Sequence, residues 1–161
     1  MSHPRPPSYD DGTATAYPDP DVTDLNGLQN HDEIRFWADY VDPEKNDYFY
    51  DDSEWIAAGE QTPSNPSGGF KGDERFIVVG DLNADPYDDD TAFGAIWQLL
   101  NNTMINTEIT PSSEGAVELV TDGTEIEYKT VVFDSEYEIA ENRGGVRADY
   151  SLISKRSEEH T

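Results

Sequence analysis

A short apolar run over residues 76–79 stands out in a polar chain and predicts a β-strand. The run is too short for a helix, is bounded by Gly80 and Pro86, and is rich in β-branched residues. An uninterrupted apolar run is typical of a central strand that is covered on both faces. Asp81 and Asn83 follow directly. We therefore expect these two polar side chains at the rim of a sheet.

Helical spacing predicts a helix upstream of this strand. Its apolar side chains are Ile34, Trp37, Ala38 and Val41. The spacing predicts an amphipathic helix over residues 32–41 that faces the sheet and ends before Pro43. Residues 4–30 and 61–72 are rich in Pro, Gly and Ser and are predicted to be loops.

A second helix and two further strands are predicted downstream. Residues 88–91 can cap the helix, because an acidic first turn suits the helix dipole. Its apolar face consists of Phe93, Ile96, Trp97 and Leu100. Ile126, Tyr128 and Thr130 alternate with charged residues, and residues 131–133 continue as an apolar run. This pattern predicts a strand over residues 126–133. Apolar and polar residues alternate again over residues 146–152, which predicts a strand that packs on one face and presents Asp149 on the other.

The chain is strongly acidic, with 35 Asp and Glu against 10 Lys and Arg, a net charge of -25 and a pI near 4.1. Such an imbalance is common in disordered chains, but a hydrophobic content of 35% and an aromatic content of 11% are sufficient for a core. Repulsion between carboxylates is screened within about 3 Å at 1 M salt. The composition therefore indicates a protein that works in concentrated salt, from a halophilic and archaeal source.

Several function classes are disfavoured. Cysteine is absent, which excludes disulfides, thiolate metal sites and cysteine nucleophiles within this sequence. No stretch is apolar enough to span a membrane, and the polar, Pro-rich residues after Met1 lack the core of a signal peptide. No cluster of Lys and Arg offers a basic patch, which slightly favours small substrates over nucleic acids.

The motif Gly80-Asp81-Leu82-Asn83, after a buried strand, resembles the GDxN signature of the endonuclease/exonuclease/phosphatase superfamily, the fold of the DNase I-like metal-dependent phosphodiesterases. The resemblance implies that Asp81 orients or deprotonates the attacking water and that Asn83 helps to hold the water and the phosphoryl oxygens. The chemistry is consistent with these roles. An Asp at a strand end can accept a proton from water beside a cation, and a neutral amide donates to an oxyanion without adding repulsion.

Two further stretches resemble the same family, in the family's order. Residues 146–154 resemble its penultimate core strand, in which the Asp, here Asp149, hydrogen-bonds and orients a catalytic His that is expected to lie outside this chain. Residues 2–7, followed by residues 30–38, resemble its middle segment, which implies that His3 reaches the scissile phosphate. The resemblance covers nearly the whole chain and implies a hydrolase that acts on phosphoester bonds.

The fold implied by the resemblance is α/β (α+β), part of a four-layered DNase I-like sandwich with mainly antiparallel or mixed sheets. The family's early Asn and metal-binding Glu and its final Ser-Asp-His motif have no counterpart in the sequence. Residues 1–155 are therefore expected to be the central and later part of one domain, inactive by itself. Residues 156–161 resemble a translated sequencing-adapter peptide and are expected to be a non-native tail.

Cofactor and partners are implied by the same resemblance. A divalent cation is expected, Mg²⁺ first and Mn²⁺ or Ca²⁺ as alternatives, with Asp81 and Asn83 near it and the main ligands outside this chain. The substrate is expected to be a phosphoester, either a small molecule or a nucleic acid, and the intact protein is expected to be a monomer. Relatives of this kind are often secreted, which favours an extracellular location.

Each candidate residue also has a purely structural interpretation. Asp81 can form a turn, and Asp149 can pair with Arg147 or Arg143 on a solvated face. His3 is a near-terminal residue, and such residues are often poorly ordered. For four residues, helix capping and surface pairing are the preferred interpretation over a catalytic role: Asn30, His31, Asp32 and Arg35.

Two alternatives of another class stay open. The first is a calcium-binding module, because Asp81, Asn83 and Asp85 match the first three ligand positions of an EF-hand loop. Pro86 stands where that loop needs Gly, however, and Ala92 stands where it needs a bidentate Glu. The second alternative is an inert fragment, in which exposed strand edges prevent stable folding.

Overall fold

A computed structural model describes residues 1–7, 25–72, 75–86, 92–110 and 147–155. Within these ranges the fold is mixed α/β, with three helices and a two-stranded antiparallel sheet. The elements in chain order are helix α1 (Leu25–Tyr40), helix α2 (Asp52–Ala57), strand β1 (Ile77–Asp81), a 3-10 turn (Ala92–Gly94), helix α3 (Trp97–Leu100) and strand β2 (Asp149–Ile153). The predicted cap at residues 88–91, the strand at 126–133 and the tail at 156–161 lie outside the described ranges.

Strand β1 lies between two backbone neighbours. On one side it pairs antiparallel with β2, so that Asp81 stands opposite Asp149. On its other side Ser2 forms a parallel bridge with Gly80, and the Ser2 N–H donates to the Val79 carbonyl at 2.9 Å. The prediction of a central strand ending at Asp81 is confirmed in this respect.

The sheet buries only one of its faces. Val78, Tyr150 and Leu152 point into the core, as the alternation over residues 146–152 predicted. On the other face Ile77 is 57% and Ile153 is 49% exposed. Within the described ranges the helices pack on the inward face alone, so the predicted cover on the second face of β1 is not seen there. An apolar run without polar alternation does not reveal which face lacks a cover.

Helix α1 begins seven residues before the predicted start, so the prediction of a loop over residues 4–30 is wrong for its last part. Ile34, Ala38 and Val41 are buried, which confirms the predicted inward face. The first turns instead bury Asn26 and Gly27. Hydrophobic periodicity could not detect these turns, because their inward positions hold polar or small residues.

Helix α2 was not predicted. None of its residues is buried, so it has no apolar period that sequence patterns could detect. A capping box holds its first turn: the Glu54 N–H donates to Asp51 Oδ1 and the Asp51 N–H donates to Glu54 Oε2, both at 3.0 Å. The Ser67 N–H also donates to Glu54 at 2.6 Å, which attaches the predicted loop over residues 61–72 to this helix.

The second predicted helix is shorter than expected. Ile96 and Leu99 are fully buried, but Phe93 is 83% exposed and does not belong to the apolar face. Phe93 has a left-handed backbone conformation with φ 52° in the middle of the 3-10 turn, so this turn does not continue as a regular α-helix, and α3 begins only at Trp97. In the described ranges, no helix combines the length and apolarity that a membrane crossing requires.

Candidate functional site

His3 and Asp81 meet at the C-terminal end of β1. The distance from His3 Nε2 to Asp81 Oδ2 is 3.6 Å, which is an ion-pair separation and longer than a hydrogen bond. Their side chains are 70% and 39% exposed, so both are accessible to a ligand from solvent. The bridge between Ser2 and Gly80 explains why His3 and Asp81 are close, because His3 follows Ser2 and Asp81 follows Gly80.

Asp81 and Asn83 form a local turn at the same place. The Asn83 N–H donates to Asp81 Oδ1 at 3.0 Å, so one carboxylate oxygen fixes the turn while the other faces His3. Asn83 adopts a left-handed backbone with φ 49°, a conformation that Asn tolerates better than most residues. The turn-forming interpretation of Asp81 is thus confirmed, and it leaves the second oxygen at the site.

The amide of Asn83 fastens the N-terminal segment to this turn. Asn83 Nδ2 donates to the Pro4 carbonyl at 3.0 Å. An amide nitrogen carries two hydrogens, so a second donor is available to another acceptor. Three of the predicted site residues, His3, Asp81 and Asn83, are therefore joined by direct contacts.

The fourth predicted site residue lies on the neighbouring strand. Asp149 stands directly opposite Asp81 and is exposed, as predicted, on the outward face of the sheet. Side chains at such positions have Cβ atoms about 4.5–5.5 Å apart, and like charges there destabilise the pair.

The predicted surface pairing of Asp149 is resolved only in part. The Arg147 guanidinium carbon lies 4.5 Å from the centre of the Tyr150 ring, in a cation–π arrangement. Arg143 lies outside the described ranges. Helix α1 does show the predicted surface pairs, because Asp32 lies 3.3 Å from Arg35 and 3.4 Å from His31.

The turn after β1 is held rigidly against β2. The Leu82 N–H donates to the Ala148 carbonyl at 2.7 Å, and the Tyr150 hydroxyl donates to the Ala84 carbonyl at 2.6 Å. The Arg147 N–H donates to Asp85 Oδ2 at 2.6 Å. These bonds fix the backbone that carries Asp81 and Asn83, which is the condition for a pre-organised site.

The EF-hand alternative is contradicted by the same contacts. Asp85 is only 3% exposed and accepts a backbone hydrogen bond from Arg147, so it is not directed at a surface cation. A strand also precedes Asp81, where an EF-hand has a helix. Asp81 and Asp85 are therefore not arranged as ligands of such a loop.

The described residues do not by themselves form a metal cage. No group of three or more His, Cys, Asp or Glu side chains is arranged to hold an ion in the ranges that the structure covers. Mg²⁺, however, is commonly bound by one or two carboxylates together with waters and substrate phosphates. The described strands place two carboxylates opposite each other, those of Asp81 and Asp149.

Sequence reasoning missed the part that Asn30 plays. Its prediction as a capping or surface residue is wrong, because Asn30 lies inside α1 and is fully buried. Its Nδ2 donates to the carbonyls of Arg5 and Leu82 at 2.8 and 3.0 Å. Asn30 precedes the predicted helix start, so the sequence gave no signal that its side chain points inward. The helix in fact starts about one and a half turns before Asn30.

An open cleft of about 560 Å³ borders β2 and reaches Asp149, but it is not lined by His3, Asp81 or Asn83. Its walls include Asp149 and Arg147, together with the apolar side chains of Trp97, Ile109 and Ile153.

Comparison of the chain with family models, curated proteins and solved structures found no match. Functional inference therefore depends on the geometry of the site and on the sequence motifs.

Proposed function

We propose that this site belongs to a metal-dependent phosphoesterase, which hydrolyses a phosphodiester or phosphomonoester with an activated water. The observation that carries the proposal is the contact between His3 and Asp81 beside Asn83, three residues singled out by motifs far apart in sequence. A carboxylate, an imidazole and an amide at one accessible edge supply a proton acceptor and two donors for phosphoryl oxygens.

Each residue has a proposed part in the reaction. Asp81 accepts the proton of the attacking water through Oδ2, while its Oδ1 keeps the turn in place. The second N–H of Asn83 donates to a phosphoryl oxygen, because the first is engaged with Pro4. His3, which lies beside Asp81, donates to the phosphate. Asp149, on the neighbouring strand, is proposed to orient the family's catalytic His.

Mg²⁺ is the proposed cofactor, with Mn²⁺ or Ca²⁺ as alternatives. A divalent cation supplies charge stabilisation at the phosphoryl oxygens and lowers the pKa of a bound water. Asp81 and Asp149 are the described carboxylates suited to its neighbourhood. The acidic surface, with a net charge of -25, favours a small phosphoester over a nucleic acid as substrate.

The finer fold in this proposal is a DNase I-like sandwich. Such a fold stacks two sheets, so each sheet has one face toward helices and one toward the other sheet. The sheet of β1 and β2 has α1 and α3 on its inward face and exposed apolar residues on its outward face: Ile77, Val79 and Ile153. An outward face of this character supports a further layer of sheet above it.

The test uses the product of the chain's own genomic reading frame, purified in molar salt. Hydrolysis of bis(p-nitrophenyl) phosphate and of p-nitrophenyl phosphate is measured with MgCl₂ and with EDTA. Asp81→Asn should lower kcat by about a hundredfold or more, as is usual for loss of a general base. Asp47→Asn is the matched control, because Asp47 is an exposed Asp outside the site. Equal rates for the two variants, or no hydrolysis by the unmodified protein, would contradict the proposal.

A further inference from the structure

Helix α1 holds the backbone of Arg5 from both sides. The Arg5 N–H donates to Glu33 Oε2 at 2.6 Å, and the Arg5 carbonyl accepts from Asn30 Nδ2 at 2.8 Å. Glu33 and Asn30 are three residues apart and therefore lie on the same side of the helix. The segment that carries His3 is thus fastened to α1 two residues after the imidazole.

The same Asn30 amide holds the turn that carries Asn83. Its Nδ2 also donates to the carbonyls of Leu82 and Asn83, at 3.0 and 3.3 Å. Only a donor satisfies three surrounding carbonyls, so the nitrogen and not the oxygen of the amide occupies this position. In the ranges that the structure covers, Asn30 Oδ1 is buried without a hydrogen-bond partner.

We propose that Asn30 and Glu33 are positioning residues, which set the spacing between the His3 imidazole and the turn of Asp81 and Asn83. The inference rests on the proposed function, because these are the groups to which that function assigns the reaction. Neither Asn30 nor Glu33 is placed to touch the substrate. They act through backbone groups, by tying the two site segments to one rigid helix.

Three variants separate this role from a general contribution to folding. Glu33→Ala removes the acceptor of the Arg5 N–H, whereas Glu33→Gln keeps an oxygen at the same place. Asn30→Leu keeps the approximate volume and removes all three donated bonds. Arg35→Ala is the control, because Arg35 lies on the exposed side of the same helix and pairs with Asp32.

Two readouts are measured on the product of the genomic reading frame. The first is amide hydrogen exchange of the peptide covering residues 1–7. Glu33→Ala and Asn30→Leu should accelerate its exchange about tenfold or more while the peptides of β1 and β2 keep their protection. The second is the hydrolysis of bis(p-nitrophenyl) phosphate, for which kcat should fall about 10- to 100-fold with KM nearly unchanged, because a small misplacement of reacting groups slows chemistry. Glu33→Gln should restore both.

The outcomes distinguish this inference from the proposed function. If the unmodified protein hydrolyses neither ester, the proposed function fails, and hydrogen exchange still decides whether α1 holds the segment. If exchange of residues 1–7 in Glu33→Ala equals that in Arg35→Ala, the inference is overturned. Should Asn30→Leu fail to fold, the comparison of Glu33→Ala with Glu33→Gln decides alone. A fall in kcat that Glu33→Gln does not rescue also overturns the inference.

Discussion

The Ser2 carbonyl lies so close to the α-carbon of Gly80 that a Cβ at position 80 would overlap it. This contact belongs to the parallel bridge that brings the N-terminal segment beside β1. The Trp37 indole N–H also donates to the Ser2 hydroxyl at 2.7 Å, so the segment is held from the side of α1 as well. The glycine of the GDxN-like motif is thus required for packing rather than for chemistry.

Gly80→Ala should therefore displace Ser2 and destabilise the protein by about 1–3 kcal/mol, the usual cost of overpacking. Gly59→Ala is the control, since Gly59 has φ 72° and nothing within 4 Å of its would-be Cβ. It should cost only about 1 kcal/mol, from the left-handed backbone. Urea unfolding at fixed salt measures both. A smaller loss for Gly80→Ala than for Gly59→Ala would contradict the close approach.

Leu99→Ala should destabilise the fold by about 2–5 kcal/mol, because it leaves a cavity in the core between α1 and α3. Leu99 is fully buried, whereas Ile109 is 84% exposed. Ile109→Ala should stay within about 0.5 kcal/mol of the unmodified protein. Thermal unfolding in molar salt compares the two. Equal losses would show that Leu99 is not a core residue.

Asn46→Ala should cost about 1–3 kcal/mol, because it removes the donor to the buried Phe70 carbonyl and one of the two donors to the Tyr40 carbonyl. Asn46 Nδ2 donates to the carbonyls of Tyr40 and Phe70 at 3.1 and 2.5 Å, which joins the end of α1 to the loop before β1. Asn65→Ala, at an exposed position of the same loop, is the control. Urea midpoints that agree for the two variants would refute this joining role.

The capping box of α2 should fail in acid. Hydrogen bonds from the Ser53 hydroxyl and the Glu54 N–H hold the pKa of Asp51 below its ordinary value of 3.8, and those from Asp51 and Ser67 hold the pKa of Glu54 below 4.5. Both pKa values are lower in the folded state, so the contribution is complete above these ordinary values and is lost as pH falls through the lowered ones.

Hydrogen exchange in residues 51–58, extrapolated to a common intrinsic rate, measures this loss between neutral and strongly acidic pH. Asp51→Asn provides the control, because Asn also caps helices but does not titrate. Its α2 should show a weaker pH dependence. The same acid profile in both proteins would exclude Asp51 as a titrating cap.

Tyr48 should titrate late. Burial, followed by the hydrogen bond that its hydroxyl donates to Asp39 at 2.9 Å, raises the pKa of Tyr48 to about 12. The raised pKa means that the contribution to stability is complete below about pH 10 and is lost as pH rises through about 12. Ultraviolet difference titration against Tyr48→Phe isolates this phenol. In Asp39→Asn the same phenol should ionise at lower pH, and an unchanged midpoint would contradict the cause.

Sequence patterns predicted the placement of Asp81, Asn83 and Asp149 on their strands better than they predicted the surrounding helices. A buried strand followed by Asp81 and Asn83 is a local signal, and the alternation that places Asp149 on an outward face is local too. The link between His3 and Asp81 came from family resemblance, since residues 78 positions apart leave no periodic trace. Asn30 was misinterpreted for a related reason: burial of a polar side chain depends on distant backbone carbonyls, which no local pattern encodes.

The errors in secondary structure have the same origin. The first turns of α1 and all of α2 lack an apolar face, so a method based on hydrophobic spacing misses them. Conversely, Phe93 fits a helical spacing, but its left-handed backbone interrupts the helix. Tertiary contacts decide the first turns of α1, whereas α2 depends on its local capping box, which hydrophobic spacing does not register.

In the part of the chain that the structure describes, the buried polar residues are nearly all neutral. Four of the five are asparagines, Asn26, Asn30, Asn46 and Asn102, and the fifth is Asp85. Bonds between amides and carbonyls carry no net charge, so dissolved ions do not weaken them as they weaken ion pairs. Concentrated salt can therefore screen the repulsion between surface carboxylates without weakening the hydrogen bonds of the interior. Tolerance of salt thus depends on the surface, and the packing of the core depends on neutral groups.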